Sequence, residues 1–158
     1  MIARDHDEQR EFARAKTAAF RYLKIRERSV YELREKLERR KIEQKIVSQV
    51  IDYLLDKKFL DDRSFTKNWI RYRQARPFGP QRISLELKQK GIDKDIIAEE
   101  ISLAFELLDQ SDVVLEMAQR RAVRYQKDEP FKRKKKVFDF LARRGFSLEL
   151  IKKAIAKI

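Results

Sequence analysis

The sequence lacks cysteine and contains only three glycines, three prolines and one histidine. Without cysteine there is no disulfide framework and no thiolate metal site, which is typical of a reducing compartment. So few turn-forming residues exclude a β-sandwich or β-barrel, because their many strand connections need such residues. The chain also has no apolar run of membrane-spanning length, and its amino-terminal residues lack the apolar core of a secretory signal. We therefore expect a cytoplasmic protein that does not enter a membrane.

Charged and helix-forming residues dominate the chain. Of its 158 residues, 41% are charged and 42% are apolar, whereas about a quarter of the residues in an ordinary globular domain are charged. A compact sphere has too little surface for so many charges, so the composition favours an elongated molecule. The abundant glutamate, lysine, arginine, leucine and alanine all have high helix propensity. The sequence therefore predicts an all-α fold.

One apolar pattern occurs three times along the chain. Two aliphatic residues stand four positions apart, and a third apolar residue follows five positions later. The three copies are Leu33, Leu37 and Ile42; Ile83, Leu87 and Ile92; and Val137, Leu141 and Phe146. Repetition of one helical unit is typical of repeat proteins. We predict an elongated tandem array of three three-helix repeats, at residues 10–60, 61–110 and 111–158, after a flexible segment at residues 1–9.

The breakers of helical structure are concentrated in the middle repeat. Residues 76–92 read RPFGPQRISLELKQKGI and hold two of the three prolines and two of the three glycines. Pro77 should end one helix and Pro80 should begin the next, because proline is tolerated in the first turn of a helix. Gly91 is a candidate left-handed helix end. Lys41 stands at the equivalent position of the first repeat and lacks glycine's freedom, which leaves that joint open to a different geometry.

The net charge of +13 indicates polyanionic partners such as nucleic acid, nucleoprotein or an acidic membrane surface. Basic residues outnumber acidic ones by seven to one in residues 64–90 and by 14 to 6 in residues 111–158. A lysine run just before an apolar-periodic helix is a candidate phosphate-binding patch, although a solvated run that only aids solubility stays open. A helix-turn-helix reader of bases is less favoured than backbone contact, because the basic residues are spread over the repeats.

Aromatic spacing defines one helix of the middle repeat. Phe65, Trp69 and Tyr72 recur at helical spacing and are predicted to form its buried stripe, with base stacking as the less favoured alternative. Lys67 and Arg71 then lie on the exposed side. The candidate binding residues, inferred from charge and exposure, are Lys67, Arg71, Arg73, Arg76, Arg82, Lys132, Arg133, Lys134, Lys135, Lys136, Arg143 and Arg144. Arg120, Arg121 and Arg124 add further charge to the third repeat.

Signals for catalysis are nearly absent. His6 lies in a polar segment and is interpreted as solvated. The adjacent Asp61 and Asp62 suggest helix capping more than a metal pair. There is no phosphate-binding glycine loop, nucleophile elbow or metal-ligand spacing. We predict a protein that is not an enzyme and uses no metal or cofactor. The candidate helix caps are Ser29, Asp62 or Ser64, and Ser147.

Four segments, in this order and spacing, resemble the RecX family of modulators of the RecA recombinase. They are RSVYELREKLERR, FLDDRSFTKNWIRYR, RPFGPQRISLELKQKGI and KKVFDFLARRGF. The resemblance covers residues 15–158. Two departures concern joint geometry: Lys41 replaces an expected glycine, and KKFLDD replaces a turn that usually contains glycine.

The resemblance implies tandem three-helix repeats without enzymatic activity. It implies binding to the RecA–DNA filament and modulation, mainly inhibition, of RecA ATP hydrolysis, coprotease action and strand exchange in recombination, DNA repair and the SOS response. The implied partners are the RecA filament and single- and double-stranded DNA bound without sequence preference, and we expect a monomer. The alternative is a sequence-nonspecific DNA-binding protein that acts without direct RecA contact.

Overall fold

The computed structural model describes the backbone from Ile2 to Ile158 and the side chains from His6 onward. Within this range the chain forms nine α-helices and no strand, which confirms the all-α prediction. The helices are α1 Ile2–Ile25, α2 Val30–Glu38, α3 Gln44–Asp56, α4 Asp62–Gln74, α5 Pro80–Gln89, α6 Lys94–Phe105, α7 Ser111–Val123, α8 Pro130–Arg143 and α9 Leu148–Ile155. Among the described residues, no helix combines the length and apolarity that a bilayer crossing requires.

The first helix begins earlier than the predicted first repeat. α1 includes residues 2–9, and Met1 lies outside the described residues. The flexibility expected of residues 1–9 stays a prediction, as do the limits of the three repeats. His6 is exposed on α1, as its interpretation as a solvated side chain requires.

The first compact unit comprises the residues up to Lys67 together with residues 89–93. In it α1, α2 and α3 pack against one another pairwise. Its buried core consists of Ala15, Ala18, Ala19, Leu33, Leu37, Ile46, Val47, Val50, Ile51, Leu54 and Leu60. The α3 members recur at intervals of one, three and four residues, so they form one wide apolar stripe on the helix. Burial of that stripe, more than intrinsic helix propensity, stabilises α3.

The Gly91 corner is held against the start of α2. The Ser29 hydroxyl accepts the Glu32 N–H at 3.1 Å as the helix cap and donates to the Lys90 carbonyl at 2.6 Å. The Lys90 ammonium lies 2.7 Å from the Glu32 carboxylate. Gly91 has a φ of 71°, and a Cβ there would lie 2.4 Å from the Cβ of Tyr31. This corner therefore requires glycine both for its backbone conformation and for space.

The second compact unit comprises residues 68–88 and 94–158. In it α7, α8 and α9 pack against one another pairwise. Their buried core consists of Val114, Ala118, Val137, Leu141, Phe146, Ile151 and Ala154. This core contains the whole third copy of the apolar pattern, which is the packing that the repeat predicts. Residues 61–110, predicted as one repeat, contribute to both compact units.

Two glycines of the second unit bring the second and third repeats into backbone contact. The Gly79 N–H donates to the Arg144 carbonyl at 2.8 Å, and the Gln81 N–H donates to the Gly145 carbonyl at 3.2 Å. A Cβ on Gly79 would lie 2.2 Å from that Gly145 oxygen. Any side chain at position 79 would therefore push the two backbones apart.

The corner residues of the three repeats share a positive, left-handed φ. Lys41 has a φ of 59°, close to the values of 71° for Gly91 and 84° for Gly145. The different geometry considered for Lys41 is therefore wrong. Lys58, in the KKFLDD segment, is likewise left-handed with a φ of 56°. A side chain in this conformation costs roughly 1–2 kcal/mol, so the other contacts of the first unit must offset that strain at both lysines.

Helix caps follow the predicted residue types with one change of position. The Asp61 carboxylate caps α4 by accepting two backbone N–H groups at 2.9 and 3.0 Å. This agrees with the capping role predicted for the Asp61–Asp62 pair, but the cap is neither Asp62 nor Ser64, the two residues singled out for it. Asp62 instead accepts a backbone N–H from the first residue of α2 at 2.8 Å. Burial raises the pKa of the Asp62 carboxyl, and that hydrogen bond opposes the rise. The predicted caps at Ser29 and Ser147 are confirmed.

Candidate polyanion-binding surface

Two of the predicted binding residues share one buried carboxylate. Glu86 on α5 is only 6% exposed. The Arg73 guanidinium donates to both of its oxygens, at 2.6 and 2.7 Å, and Arg82 donates from Nε at 3.1 Å. The Trp69 indole N–H donates to the same carboxylate at 3.1 Å. Because removing one partner of a buried ion pair is strongly destabilising, these contacts give Arg73 a structural role.

The other predicted residues near α4 are exposed. Lys67 and Arg71 lie on its solvent side, and Arg76 lies just beyond its end. The Arg76 guanidinium carbon is 4.5 Å from the centroid of the Tyr72 ring. Tyr72 is 47% exposed, so its predicted place in the buried stripe is wrong. The buried side of α4 instead includes Ile70, which is 2% exposed. In the last turn of the helix, the Tyr72 ring contacts the Arg76 guanidinium.

A chain of contacts between cations and aromatic rings runs through the second unit. Each cationic carbon or nitrogen lies between 4.5 and 5.5 Å from the centroid of the ring that it contacts. In order of contact, the members of this cation–aromatic chain are Arg73, Phe78, Arg144, Phe140, Arg121, Tyr125 and Lys136. A guanidinium stacked on a ring retains its full charge and its fork of edge donors. The ring contacts therefore position Arg121 and Arg144 without neutralising them, whereas Arg73 and Lys136 also pair with Glu86 and Asp128.

The basic run Lys132–Lys136 lies within the first two turns of α8, and its predicted place before the helix is wrong. Successive residues of an α-helix are separated by about 100° around its axis, so the run surrounds α8 and does not form one flat patch. Lys136 lies 2.7 Å from Asp128, and Lys132 lies 3.9 Å from Glu129. Such exposed pairs contribute little. The start of a helix carries a partial positive charge, so the basic residues here are repelled by the helix dipole, and a bound anion would reduce that repulsion.

The remaining predicted residues differ in exposure. Lys135 and Arg143 are exposed, whereas Arg133, Lys134 and Arg144 are half-buried. Of these, the structure gives Arg144 a defined position, because it contacts both Phe78 and Phe140 at 4.6 and 5.3 Å. Arg144 thus lies in the middle of the cation–aromatic chain.

The sequence did not predict Phe78, Tyr125 and Phe140 as members of this surface, because they are not basic. Arg121 was noted for its charge but was not among the candidate binding residues. The local signal that identifies Arg121, Tyr125 and Phe140 is an aromatic residue and a cation four positions apart, which places the two on the same side of a helix. In the second unit, four pairs have this spacing and the corresponding contact: Trp69 and Arg73, Tyr72 and Arg76, Arg121 and Tyr125, and Phe140 and Arg144. Glu86 carries a similar signal, because Arg82 precedes it by four residues.

Comparison with known proteins assigns these helices to a family. Residues 15–54 match the first three-helix domain of RecX, residues 61–100 match the second and residues 109–155 match the third. The chain belongs to the RecX family. The three RecX domains fall on α1–α3, α4–α6 and α7–α9 in tandem, which confirms both the resemblance and the repeated architecture.

RecX relatives are similar to this chain over nearly its whole length. Regulatory protein RecX of Chlorobium phaeobacteroides (strain BS1) is 34% identical over 98% of this chain and 97% of its own. The protein of the same name from Prosthecochloris aestuarii is 34% identical over 92% and 93%, respectively. The crystal structure of RecX from Lactobacillus salivarius is 27% identical and superposes with a TM-score of 0.80 over 94% of this chain and 97% of that one. A second solved structure, titled regulatory protein RecX, shares the fold at 22% identity, with a TM-score of 0.81 over 92% of this chain and 72% of that one.

Proposed function

We propose that this protein is a cytoplasmic regulator that binds the RecA–DNA filament. It modulates, and mainly inhibits, RecA ATP hydrolysis, coprotease action and strand exchange in recombination, DNA repair and the SOS response. It acts as a monomer through contacts and not as an enzyme. Its partners are the RecA filament and single- or double-stranded DNA without sequence preference.

The observation that carries this proposal is the cation–aromatic chain of the second unit, in a chain that belongs to the RecX family. A nucleoprotein filament presents phosphates and acidic protein side chains together, and ordered guanidinium groups can donate to both. The relatives named regulatory protein RecX support a regulatory role over a catalytic one. The positions we propose for the filament contact are Lys67, Arg71, Arg76, Lys132–Lys136, Arg143 and Arg144.

A plain nucleic-acid-binding protein without RecA contact is the second candidate, favoured by the 14-to-6 excess of basic residues in residues 111–158. Binding through phosphates alone weakens steeply with salt, because each contact releases condensed counterions. This candidate also predicts that every effect on RecA disappears when free DNA is in excess.

The deciding experiment is ATP hydrolysis by RecA on saturating single-stranded DNA, with this protein titrated well below the RecA concentration. Loss of hydrolysis at substoichiometric protein, with little protein bound to naked DNA at the same salt, is the expected result. Loss only at concentrations that coat the DNA would refute direct action on the filament and favour simple competition.

A matched pair of variants tests the proposed contact. R71A/R76A removes two exposed arginines of the second unit, and R10A/R21A removes two exposed arginines of α1. We expect R71A/R76A to raise the half-inhibitory concentration by about tenfold, as for arginines central to an interface, while R10A/R21A matches the wild type. Equal behaviour of the two variants would exclude Arg71 and Arg76 from the contact.

A further inference from the structure

Four arginines line one surface cleft between α7 and the end of α8. The cleft has a volume of about 260 Å³, and its lining residues are Met117, Arg120, Arg121, Arg124, Phe140 and Arg144. None of these six described residues is acidic. Like charges gathered in one cleft repel one another, so a bound anion would stabilise the arrangement.

The guanidinium of Arg121 is not committed to a protein acceptor. Its Nε atom is buried and has no hydrogen-bond partner within the part of the chain that the structure describes. Arg73 provides the contrast, since its Nε donates to the Glu86 carboxylate at 2.6 Å. Buried polar groups nearly always have a partner, so the exception at Arg121 needs an explanation. The positive charge of Arg121 is held by rings alone, at 4.5 Å from Phe140 and 5.5 Å from Tyr125.

The aromatic floor of the cleft is already occupied. The Phe140 ring is contacted by the guanidinium groups of both Arg121 and Arg144, at 4.5 and 5.3 Å. A nucleic-acid base would need an uncovered ring to stack on. The cleft is therefore suited to an anion that approaches the edges of the guanidinium groups.

The ion pair of Arg120 leaves the cleft basic. Arg120 contacts Glu116 one turn away on α7, in a pair whose side chains are 79% and 59% exposed. Solvent and salt screen such a pair, so it contributes little and yields readily to a competing anion. Arg124 follows Arg120 by one helical turn and thus lies on the same side of the helix.

We infer that the cleft lined by Arg120, Arg121, Arg124 and Arg144 binds phosphodiester groups of a nucleic-acid strand. Each nucleotide of a strand carries one phosphodiester charge at a regular spacing, so a strand that crosses the cleft can neutralise several guanidinium groups at once. The planar guanidinium fork also matches two phosphate oxygens, which fixes the strand in the cleft. This inference rests on the proposed function for its partner and adds to it the place where DNA is held.

The test is the salt dependence of binding to a fluorescein-labelled oligothymidylate, measured by fluorescence anisotropy. R120Q/R124Q changes two exposed side chains, and K152Q/K157Q removes the same charge from exposed positions of the second unit that do not line the cleft. For R120Q/R124Q, the slope of log K against log salt should fall in magnitude by about two, one for each lost phosphate contact. K152Q/K157Q should retain the wild-type slope. Equal slopes for the two variants would overturn the inference.

A charge-preserving variant separates the guanidinium fork from charge alone. R121K keeps the positive charge but loses the planar fork. We expect it to bind oligothymidylate several-fold more weakly with an unchanged salt slope, at a thermal midpoint within a few degrees of the wild type. Wild-type affinity in a folded R121K protein would contradict a bidentate phosphate site.

Two further measurements distinguish the ligand class and the proposed function. A labelled oligoglutamate should lose no more affinity for R120Q/R124Q than for K152Q/K157Q, which removes the same charge outside the cleft. If instead it loses affinity for R120Q/R124Q as oligothymidylate does, the cleft accepts acidic protein and the inference is wrong. RecA ATP hydrolysis is measured with the same proteins. A wild type that fails to inhibit RecA while the DNA slope still depends on Arg120 and Arg124 refutes only the proposed function. Inhibition with identical DNA slopes refutes only the cleft.

Discussion

Replacing Arg73 by alanine should destabilise the protein by about 3 kcal/mol, while replacing Arg71 should change the free energy of unfolding by less than about 0.5 kcal/mol. Arg73 makes two hydrogen bonds, of 2.6 and 2.7 Å, to Glu86, whose side chain is 7% exposed. Removing one partner of a buried pair costs about 3–5 kcal/mol. The Arg73 side chain is 20% exposed, so water can replace part of what is lost. The lower end of that range therefore applies, equivalent to a fall in Tm of about 6–12 °C.

The assay is urea unfolding followed by far-ultraviolet circular dichroism and by tryptophan fluorescence. Trp69 is the single tryptophan of the chain, and its indole donates to Glu86 at 3.1 Å, so its emission reports on this cluster directly. R71A is the matched control, because it removes the same charge from the same helix. A double variant, R73A/E86A, should regain part of the stability, because no buried carboxylate is then left without its partner. An R73A loss below about 1 kcal/mol, or equal losses in R73A and R71A, would refute this account.

The difference between the buried ion pair of Arg73 and the exposed position of Arg71 decides how functional variants are interpreted. A variant that combines R71A, R73A and R76A lowers stability as well as charge, so reduced RecA inhibition would not identify a contact. Arg71 and Arg76 report on the surface without that complication, because both are exposed.

Three further predictions concern stability. Burial acts to raise the pKa of Glu32, but hydrogen bonds and charge from Arg26 and Lys90 outweigh it and lower the pKa from 4.5 to about 2. The ionised carboxylate therefore contributes up to about 3 kcal/mol to the free energy of unfolding above pH 4.5, and this contribution is lost as pH falls towards 2. The difference in stability between wild type and E32Q, measured by urea unfolding, should shrink by about half between pH 7 and pH 3. A constant difference would contradict this. G79A should lower the free energy of unfolding by about 1–3 kcal/mol, because its Cβ would meet the Gly145 carbonyl oxygen at 2.2 Å; an unchanged Tm in calorimetry would contradict that contact. S147A should cost about 1 kcal/mol by removing the cap of α9, and equal urea midpoints for S147A and wild type would show that the cap contributes nothing.

The sequence predicted the helices and their joints well because both depend on local information. Apolar periodicity and proline at a helix start act within a few residues, so Pro80 begins α5 as predicted. The contact of Gly79 with Gly145 could not be predicted, because it joins backbone atoms of two repeats. The left-handed conformation of Lys41 was missed for the same reason, since tertiary contacts offset a local strain of roughly 1–2 kcal/mol.

The candidate surface was predicted in its charge but not in its organisation. Composition identifies basic segments, yet only the structure shows that Arg73 is held by Glu86 and that Arg144 contacts two rings. Part of this organisation is nevertheless local. The four-residue spacing between Phe140 and Arg144, and between Arg121 and Tyr125, places cation and ring together on one helix and could be searched for in a sequence.

The cation–aromatic chain explains how a compact unit can carry a large unbalanced charge. Acidic side chains of the same protein would hold the basic side chains in place, but they would also neutralise the positive charge that attracts a polyanion. Aromatic rings fix them without cancelling it, because the attraction to the ring face leaves the guanidinium charge and its edge donors intact. Phe78 and Phe140 thus position Arg144, as Glu86 positions Arg73. The charge of Arg144 stays available to an external anion, whereas Glu86 neutralises the charge of Arg73. Within residues 111–158, which contain 14 basic and 6 acidic residues, rings rather than carboxylates position Arg121 and Arg144.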